Sequence, residues 1–240
     1  MMQLVDVTKT YQQGRRNVEA VRGVRLDIVP GEFVAIMGPS GSGKSTLMHL
    51  LGALDTPTTG QALFDGKDLA RMSDGQRSLL RRTRIGFIFQ FFNLLPTLRS
   101  TENVALPLLL DGKSRGPSIK KAEEALERVG MKHRADHYPE EMSGGEMQRV
   151  AIARALVSEP EVVLCDEPTG NLDSVNAREI LALLQSLPEV GKRSVVMVTH
   201  DLAAGRIGDR LVHISDGLLD RDEAIEHDSP LSLKSVSSSH

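Results

Sequence analysis

The sequence predicts an α/β fold built on a mainly parallel sheet, and three observations carry that prediction. Phe33-Val34-Ala35-Ile36-Met37, Glu161-Val162-Val163-Leu164-Cys165 and Ser194-Val195-Val196-Met197-Val198 are short, continuous apolar runs. Runs apolar on both faces suit strands buried between two layers, as in parallel sheets, better than half-exposed antiparallel strands. Helical patterns separate them, the alternation that an α/β domain requires.

Taken in order, the run at 33–37 ends in Gly38, and after a glycine-rich turn residues 45–51 read as a helix. From about Pro96 to Pro160 helical patterns replace β signal, which predicts a helical insertion in the α/β core. Within it, residues 119–129 are charged and helix-prone, with Lys120, Lys121, Glu123, Glu124, Glu127 and Arg128, and Gly130 is placed to end the helix. Ser143 is the candidate N-cap before an Ala-rich helix over 150–157, closed by Pro160. The runs at 161–165 and 194–198 return to strand. The Ser-rich stretch 229–240 is expected to fray, and no internal repeat is present.

Composition narrows the class without naming a function. The chain of 240 residues carries 29 Lys and Arg against 32 Asp and Glu, a net charge of −3. At 40% hydrophobic and 25% charged it is neither disordered, collagen-like nor a disulfide scaffold. The missing positive excess argues against nucleic acid as a partner. With no Trp, two Tyr and six Phe, the core must be mostly aliphatic. No apolar run approaches the roughly 18–20 residues of a membrane span. The opening Met1-Met2-Gln3-Leu4-Val5-Asp6 lacks the basic start and apolar stretch of a signal peptide. One cysteine, Cys165, fits a reducing compartment and inert packing. The expectation is a cytoplasmic protein.

Three segments carry chemistry. Gly38-Pro39-Ser40-Gly41-Ser42-Gly43-Lys44-Ser45-Thr46 matches the phosphate loop G-x-x-x-x-G-K-[ST]. Its glycines let backbone N–H groups wrap a phosphate chain, and the helix that follows adds its positive end. Lys44 would reach the β- and γ-phosphates, and the Ser45 hydroxyl would ligate Mg²⁺. The second segment ends an apolar strand in Asp166-Glu167. Asp166 fits a magnesium carboxylate, and Glu167, one residue beyond, can accept a proton from an attacking water. The third, Met142-Ser143-Gly144-Gly145-Glu146-Met147-Gln148-Arg149, opens a helix with two glycines that admit an anion. It is either a capped helix without a ligand or a γ-phosphate site for a nucleotide held by a second subunit.

On these residues the sequence resembles the ATP-binding subunits of ATP-binding-cassette (ABC) transporters, from about Met2 to Asp220. Ser143-Gly144-Gly145-Glu146 is similar to the family signature Leu-Ser-Gly-Gly-Gln, with Met142 for Leu and Glu146 for Gln. The resemblance implies a phosphate-loop NTPase of ABC type: a RecA-like, mainly parallel sheet with an antiparallel β subdomain and an inserted helical subdomain. It implies one ATP-binding domain over 1–225, with the core at about 1–95 and 156–225, the helical subdomain at about 96–155, and a flexible tail at 226–240. It also assigns roles. Gln90 would sense Mg²⁺ and the attacking water, Asp173 would touch the partner's phosphate loop, His200 would contact the γ-phosphate, and Tyr11 would stack on adenine. ATP would lie against Tyr11, Gly38, Ser40, Gly41, Ser42, Gly43, Lys44, Ser45 and Thr46, with Ser143, Gly144 and Gly145 supplied in trans. Mg²⁺ would be held at Ser45, Gln90 and Asp166, and the catalytic group would be Glu167, His200, Gln90 and Lys44.

The resemblance further implies two copies sandwiching two ATP molecules and driving an integral membrane permease from the inner face of the cell membrane. The segments Leu50-Leu51-Gly52-Ala53-Leu54-Asp55-Thr56-Pro57, Gly86-Phe87-Ile88-Phe89-Gln90, Glu102-Asn103-Val104-Ala105-Leu106-Pro107-Leu108 and Asp166-Glu167-Pro168-Thr169-Gly170-Asn171-Leu172-Asp173 are similar to the macrolide-export, lipoprotein-release and cell-division group. The lipoprotein-release branch is placed first, the export branch second. Phe91-Phe92-Asn93-Leu94-Leu95-Pro96 is either core packing or part of a groove for a permease helix. Arg77, Arg81, Arg82 and Arg84 read as a solvated helix face, with a headgroup or partner contact as the alternative. An ABC ATPase acting in DNA repair or translation, an importer ATPase and a phosphate-loop kinase remain the other classes.

Overall fold

The computed structural model describes residues 1–226 except Arg15, Val190 and Gly191. The Ser-rich tail predicted to fray lies outside the described residues.

Two sheets form the frame. Strands β1 (Met2–Gln13), β2 (Arg16–Ile28), β4 (Thr59–Phe64) and β5 (Lys67–Asp68) make an antiparallel sheet in the order β2-β1-β4-β5. The larger sheet runs β10-β9-β3-β8-β7-β6, with β3 (Phe33–Met37), β6 (Ile85–Phe89), β7 (Val162–Asp166), β8 (Ser194–Thr199) and β9 (Arg210–Ser215) parallel. The edge strand β10 (Leu218–Ala224) pairs antiparallel to β9. The mainly parallel sheet is the one the apolar runs predict, and the antiparallel companion is the one the resemblance implies.

The continuous apolar runs are explained by the two cores the sheet separates. On β7, Val163 and Cys165 face one core while Val162 and Leu164 face the other, and on β8 Val195 and Met197 oppose Val196 and Val198. Successive side chains on a strand point to opposite faces, so a strand covered on both sides needs apolar residues throughout. The first core packs the sheet against α3 (Ser100–Leu110), α4 (Arg115–Arg128), α5 (Gly144–Leu156) and α6 (Ser174–Gln185). The second packs it against α1 (Lys44–Leu51) and the antiparallel sheet, with Leu4, Val24, Leu47, Leu50 and Phe64. Cys165 is buried in the first core, where burial pushes its thiol far up. That environment keeps it inert.

Several boundaries differ from expectation. Helix α4 starts at Arg115 rather than 119 and ends with Val129 as C-cap, so Gly130, at φ 75°, stands one residue beyond. Helix α5 begins directly at Gly144, not at 150: Ser143 caps it, and the polar segment 144–149 is its first turns. The basic residues 77–84 lie on or just past α2 (Asp74–Thr83), but they are not a free cationic face. Arg77 pairs with Asp74, Arg82 with Asp111, and Arg84 with Asp65 and Glu161, while Arg81 donates to the carbonyl of Ala53.

Candidate functional site

The site is built where strands of the large sheet end. Strand β3 leads through Gly38 into a loop closed by Gly43, and α1 starts at Lys44. Gly43 has φ 103° and no side-chain cap forms at the helix start. A Cβ there would stand 2.2 Å from the carbonyl oxygen of Ala20, so only glycine fits. The first-turn N–H groups have no partner within the helix, and they edge a cavity of ≈ 210 Å³ lined by Ser40, Gly41, Gly43, Lys44, Ser45 and Thr46, with Ala20 and Glu167. The Lys44 ammonium donates to the carbonyls of Gly38 (2.8 Å) and Pro39 (2.7 Å), which holds the loop's shape and leaves one of its three donors. Burial lowers its pKa, and the nearby charges of Glu167 and Asp166 oppose that shift. Ser42 Oγ is buried without a hydrogen-bond partner among the described residues. A lined anion cavity with a buried, unspent hydroxyl beside it fits a polyphosphate.

The carboxylates follow from β7. Asp166 ends the strand, with Oδ1 3.4 Å from Ser45 Oγ. Burial raises its pKa, His49 pulls it down and the neighbouring Glu167 pushes it up again. Glu167 takes φ 44°, an unusual backbone for a non-glycine, and its N–H donates to the carbonyl of Val198 at 2.9 Å. The kink turns its side chain to His200, whose Nδ1 lies 3.1 Å from Glu167 Oε2. No group of three or more His, Cys, Asp or Glu residues among the described residues could cage a metal. Magnesium needs none, because it keeps waters and substrate phosphates and takes one or two protein oxygens. The Ser45 hydroxyl and Asp166 carboxylate suit it.

The remaining predicted residues surround this centre without all meeting it. Gln90, just past β6, exchanges hydrogen bonds with Asn171: its Nε2 lies 3.4 Å from Asn171 Oδ1, and Asn171 Nδ2 donates to its carbonyl at 3.0 Å. Tyr11 on β1 donates its hydroxyl to Asp55 Oδ2 (3.0 Å), and Lys9 pairs with the same carboxylate at 2.6 Å. Burial raises the tyrosine's pKa, which Thr46 of the phosphate loop opposes and Asp55 reinforces. Asp173 caps α6, accepting from the N–H groups of Val175 (2.9 Å) and Asn176 (3.0 Å), and these bonds lower its pKa. Ser143, Gly144 and Gly145 form the start of α5, packed beside residues 171, 172 and 176 rather than lining the phosphate-loop cavity.

Four structural partners were not singled out as site residues by the sequence. Besides Asn171 and Asp55, Gln148 is fully buried and donates to the carbonyl of Pro168. Arg154 holds the carbonyls of Phe92 and Asn93, two consecutive residues at φ 60° and 51°. Burial lowers the Arg154 pKa to about 10. Asp55, Gln148 and Asn171 sit inside quoted motifs, but nothing in their immediate neighbours marks them as partners of a site residue.

Comparison with known proteins agrees with this geometry. The ABC transporter family model matches residues 21–170. The macrolide export ATP-binding/permease protein MacB of Chlorobaculum tepidum is 50% identical over 219 residues, covering 91% of this chain but 33% of that protein. The chain thus spans about a third of that relative's length. The lipoprotein-releasing system ATP-binding protein LolD of Saccharophagus degradans is 44% identical, covering 92% of this chain and 97% of its own. Two dimeric structures of the cassette MJ0796 from Methanocaldococcus jannaschii, one of a post-hydrolysis state with ADP and phosphate, are 43% identical. They cover 95% of this chain and 100% of theirs, with a TM-score of 0.87. By fold, loop and sequence, the chain belongs to the ABC transporter ATP-binding family.

Proposed function

We propose that two copies of this chain close head to tail around two ATP molecules and hydrolyse them to drive a permease of the lipoprotein-release or macrolide-export type. The observation that carries the reading is the separation of two anion-suited helix ends. Gly43-Lys44 lines one cavity, while Ser143-Gly144-Gly145 opens α5 elsewhere on the same chain. A second copy supplies the missing half of each site.

In this reading Lys44 and the N–H groups at the start of α1 hold the phosphates. Glu167 takes the proton of the attacking water, and His200, 3.1 Å from it, orients the carboxylate and the γ-phosphate. Gln90, tied to Asn171, reports the state of the phosphates to the segment beyond it. Magnesium at Ser45 and Asp166 would neutralise phosphate charge. Tyr11 would cover adenine, and Asp173 would meet the partner's loop.

No helix among the described residues is long and apolar enough to cross a membrane; in this reading a permease supplies the span and the pair works on the inner face of the membrane. A groove of ≈ 370 Å³ between α2, β6 and α3 is the docking site in this reading: Phe87, Leu106, Pro107 and Leu110 give it an apolar lining, with Arg81 and Arg154 beside them. Its link to the site is Arg154, which grips the backbone just past Gln90. The Glu167→Gln variant tests the chemistry: ATP binding is retained and turnover falls roughly 10²–10⁴-fold. Turnover within threefold of the parent removes Glu167 from the base role.

A further inference from the structure

The family signature carries a neutral Gln where this chain has Glu146, a carboxylate in the first turn of α5. Glu146 Oε2 accepts from the Ser143 N–H at 2.8 Å, and Ser143 Oγ accepts from the Glu146 N–H at 3.3 Å. A Gln would close the same reciprocal cap, so capping does not explain the charge. The charge has a dedicated partner. Arg134, twelve residues upstream, donates Nε to Glu146 Oε1 at 2.8 Å. Both side chains are mostly covered, at 33% and 23% exposure, so solvent screens the pair only in part.

The arginine is itself oriented. Its Nη1 lies 3.1 Å from His137 Nε2. Arginine has no acceptor, so Nε2 accepts and Nδ1 carries the imidazole hydrogen. That Nδ1 is buried with no partner among the described residues. His137 thus spends its one ring acceptor on the Arg134 guanidinium. The His137 carbonyl in turn accepts from the Ser100 N–H at 2.8 Å, which anchors the group to α3.

We propose that Arg134 is a positioning residue for the phosphate site at Ser143-Gly144-Gly145. It neutralises Glu146, so the end of α5 stays positive toward the γ-phosphate of an ATP held by a second copy. This rests on the head-to-tail reading above. An unbalanced carboxylate there opposes a polyphosphate, and one unit charge near a partly covered site weakens binding roughly 10- to 100-fold.

The experiment is ATP-driven dimerisation by sedimentation equilibrium in the Glu167→Gln protein, beside ATP affinity of the monomer. Arg134→Ala and Arg134→Gln are expected to weaken dimerisation roughly 10- to 100-fold and to leave monomer ATP affinity within about threefold. Adding Glu146→Gln to either is expected to restore dimerisation to the level of Glu146→Gln alone. A merely structural Arg134 gives no such rescue. If the double variants stay as weak as the single ones, or Arg134→Gln dimerises like its parent, the proposal is overturned while the head-to-tail reading stands. If the parent itself shows no ATP-driven association, both fall.

Discussion

Gly145 is where the start of α5 meets α6, and replacing it with alanine has a consequence the geometry sets. A Cβ at Gly145 would stand 2.1 Å from Asn176 Oδ1, 2.6 Å from its Cγ and 3.2 Å from its Cβ. Because Cγ is itself too close, turning the terminal amide does not clear the clash. Asn176 is also fixed, since its N–H donates to Asp173 Oδ1 at 3.0 Å and its Nδ2 to Asp173 Oδ2. Overpacking of this kind costs about 1–3 kcal/mol, and losing the amide bond about 1 kcal/mol more. The better helix propensity of alanine returns up to about 1 kcal/mol. The net is destabilisation of about 1–3 kcal/mol, a fall in Tm of roughly 2–12 °C for a chain of this size. Calorimetry of Gly145→Ala, Asn176→Ala and the double variant checks it. The double variant should be at least about 1 kcal/mol more stable than the two single effects summed. A Gly145→Ala Tm at or above the parent's, or strict additivity, refutes the steric argument.

Two other outcomes follow from the ionised groups. Burial raises the Asp166 pKa above its ordinary value of 3.8, so the folded chain holds that proton longer than the unfolded one. Ligand-free stability therefore drops as pH rises from that value through the folded pKa. Asp166→Asn should raise the ligand-free Tm at pH 7 and abolish the extra stabilisation that Mg²⁺ adds to ATP. Thermal melts with and without Mg²⁺ read both, and a lowered ligand-free Tm counts against the burial penalty. At the other end of the site, Asp55 holds the Tyr11 hydroxyl, with Lys9 bonded to the same carboxylate. Asp55→Asn should raise KM for ATP roughly three- to tenfold with kcat nearly unchanged, the loss of about one hydrogen bond's worth of positioning; an unchanged KM removes Asp55 from that role.

How much of this was written in the sequence depended on whether the information was local. The phosphate loop, the strand ending in Asp166 and the Ser143 cap are contiguous, and each was readable from a few residues. Strands β1 and β2 were not picked out individually, because the register slips between Leu4 and Val7, Val7 and Lys9, and Lys9 and Thr10. Those slips break the period-two alternation by which a half-buried strand is recognised. The stretch of α5 between its Ser143 cap and the Ala-rich residues is less legible, because residues 144–149 are mostly polar or glycine where they meet α6 and the loop before it. The kink at Glu167 and the paired αL residues Phe92 and Asn93 depend on tertiary bonds, to Val198 and Arg154, that no local pattern encodes. Arg134 likewise carries no local signal until the fold brings it to Glu146. The order of the two transporter branches is least legible, since relatives named MacB and LolD are similar to this chain at 50% and 44% identity.

One copy is half a machine in this reading, and the mass of the Glu167→Gln protein in solution shows it most directly. Without nucleotide the protein should sediment as a monomer of 26.2 kDa. With ATP it should sediment as a dimer holding one nucleotide per chain, and Ser143→Arg should return it to the monomer while the nucleotide stays bound. A protein that remains monomeric with ATP saturating each chain contradicts the account.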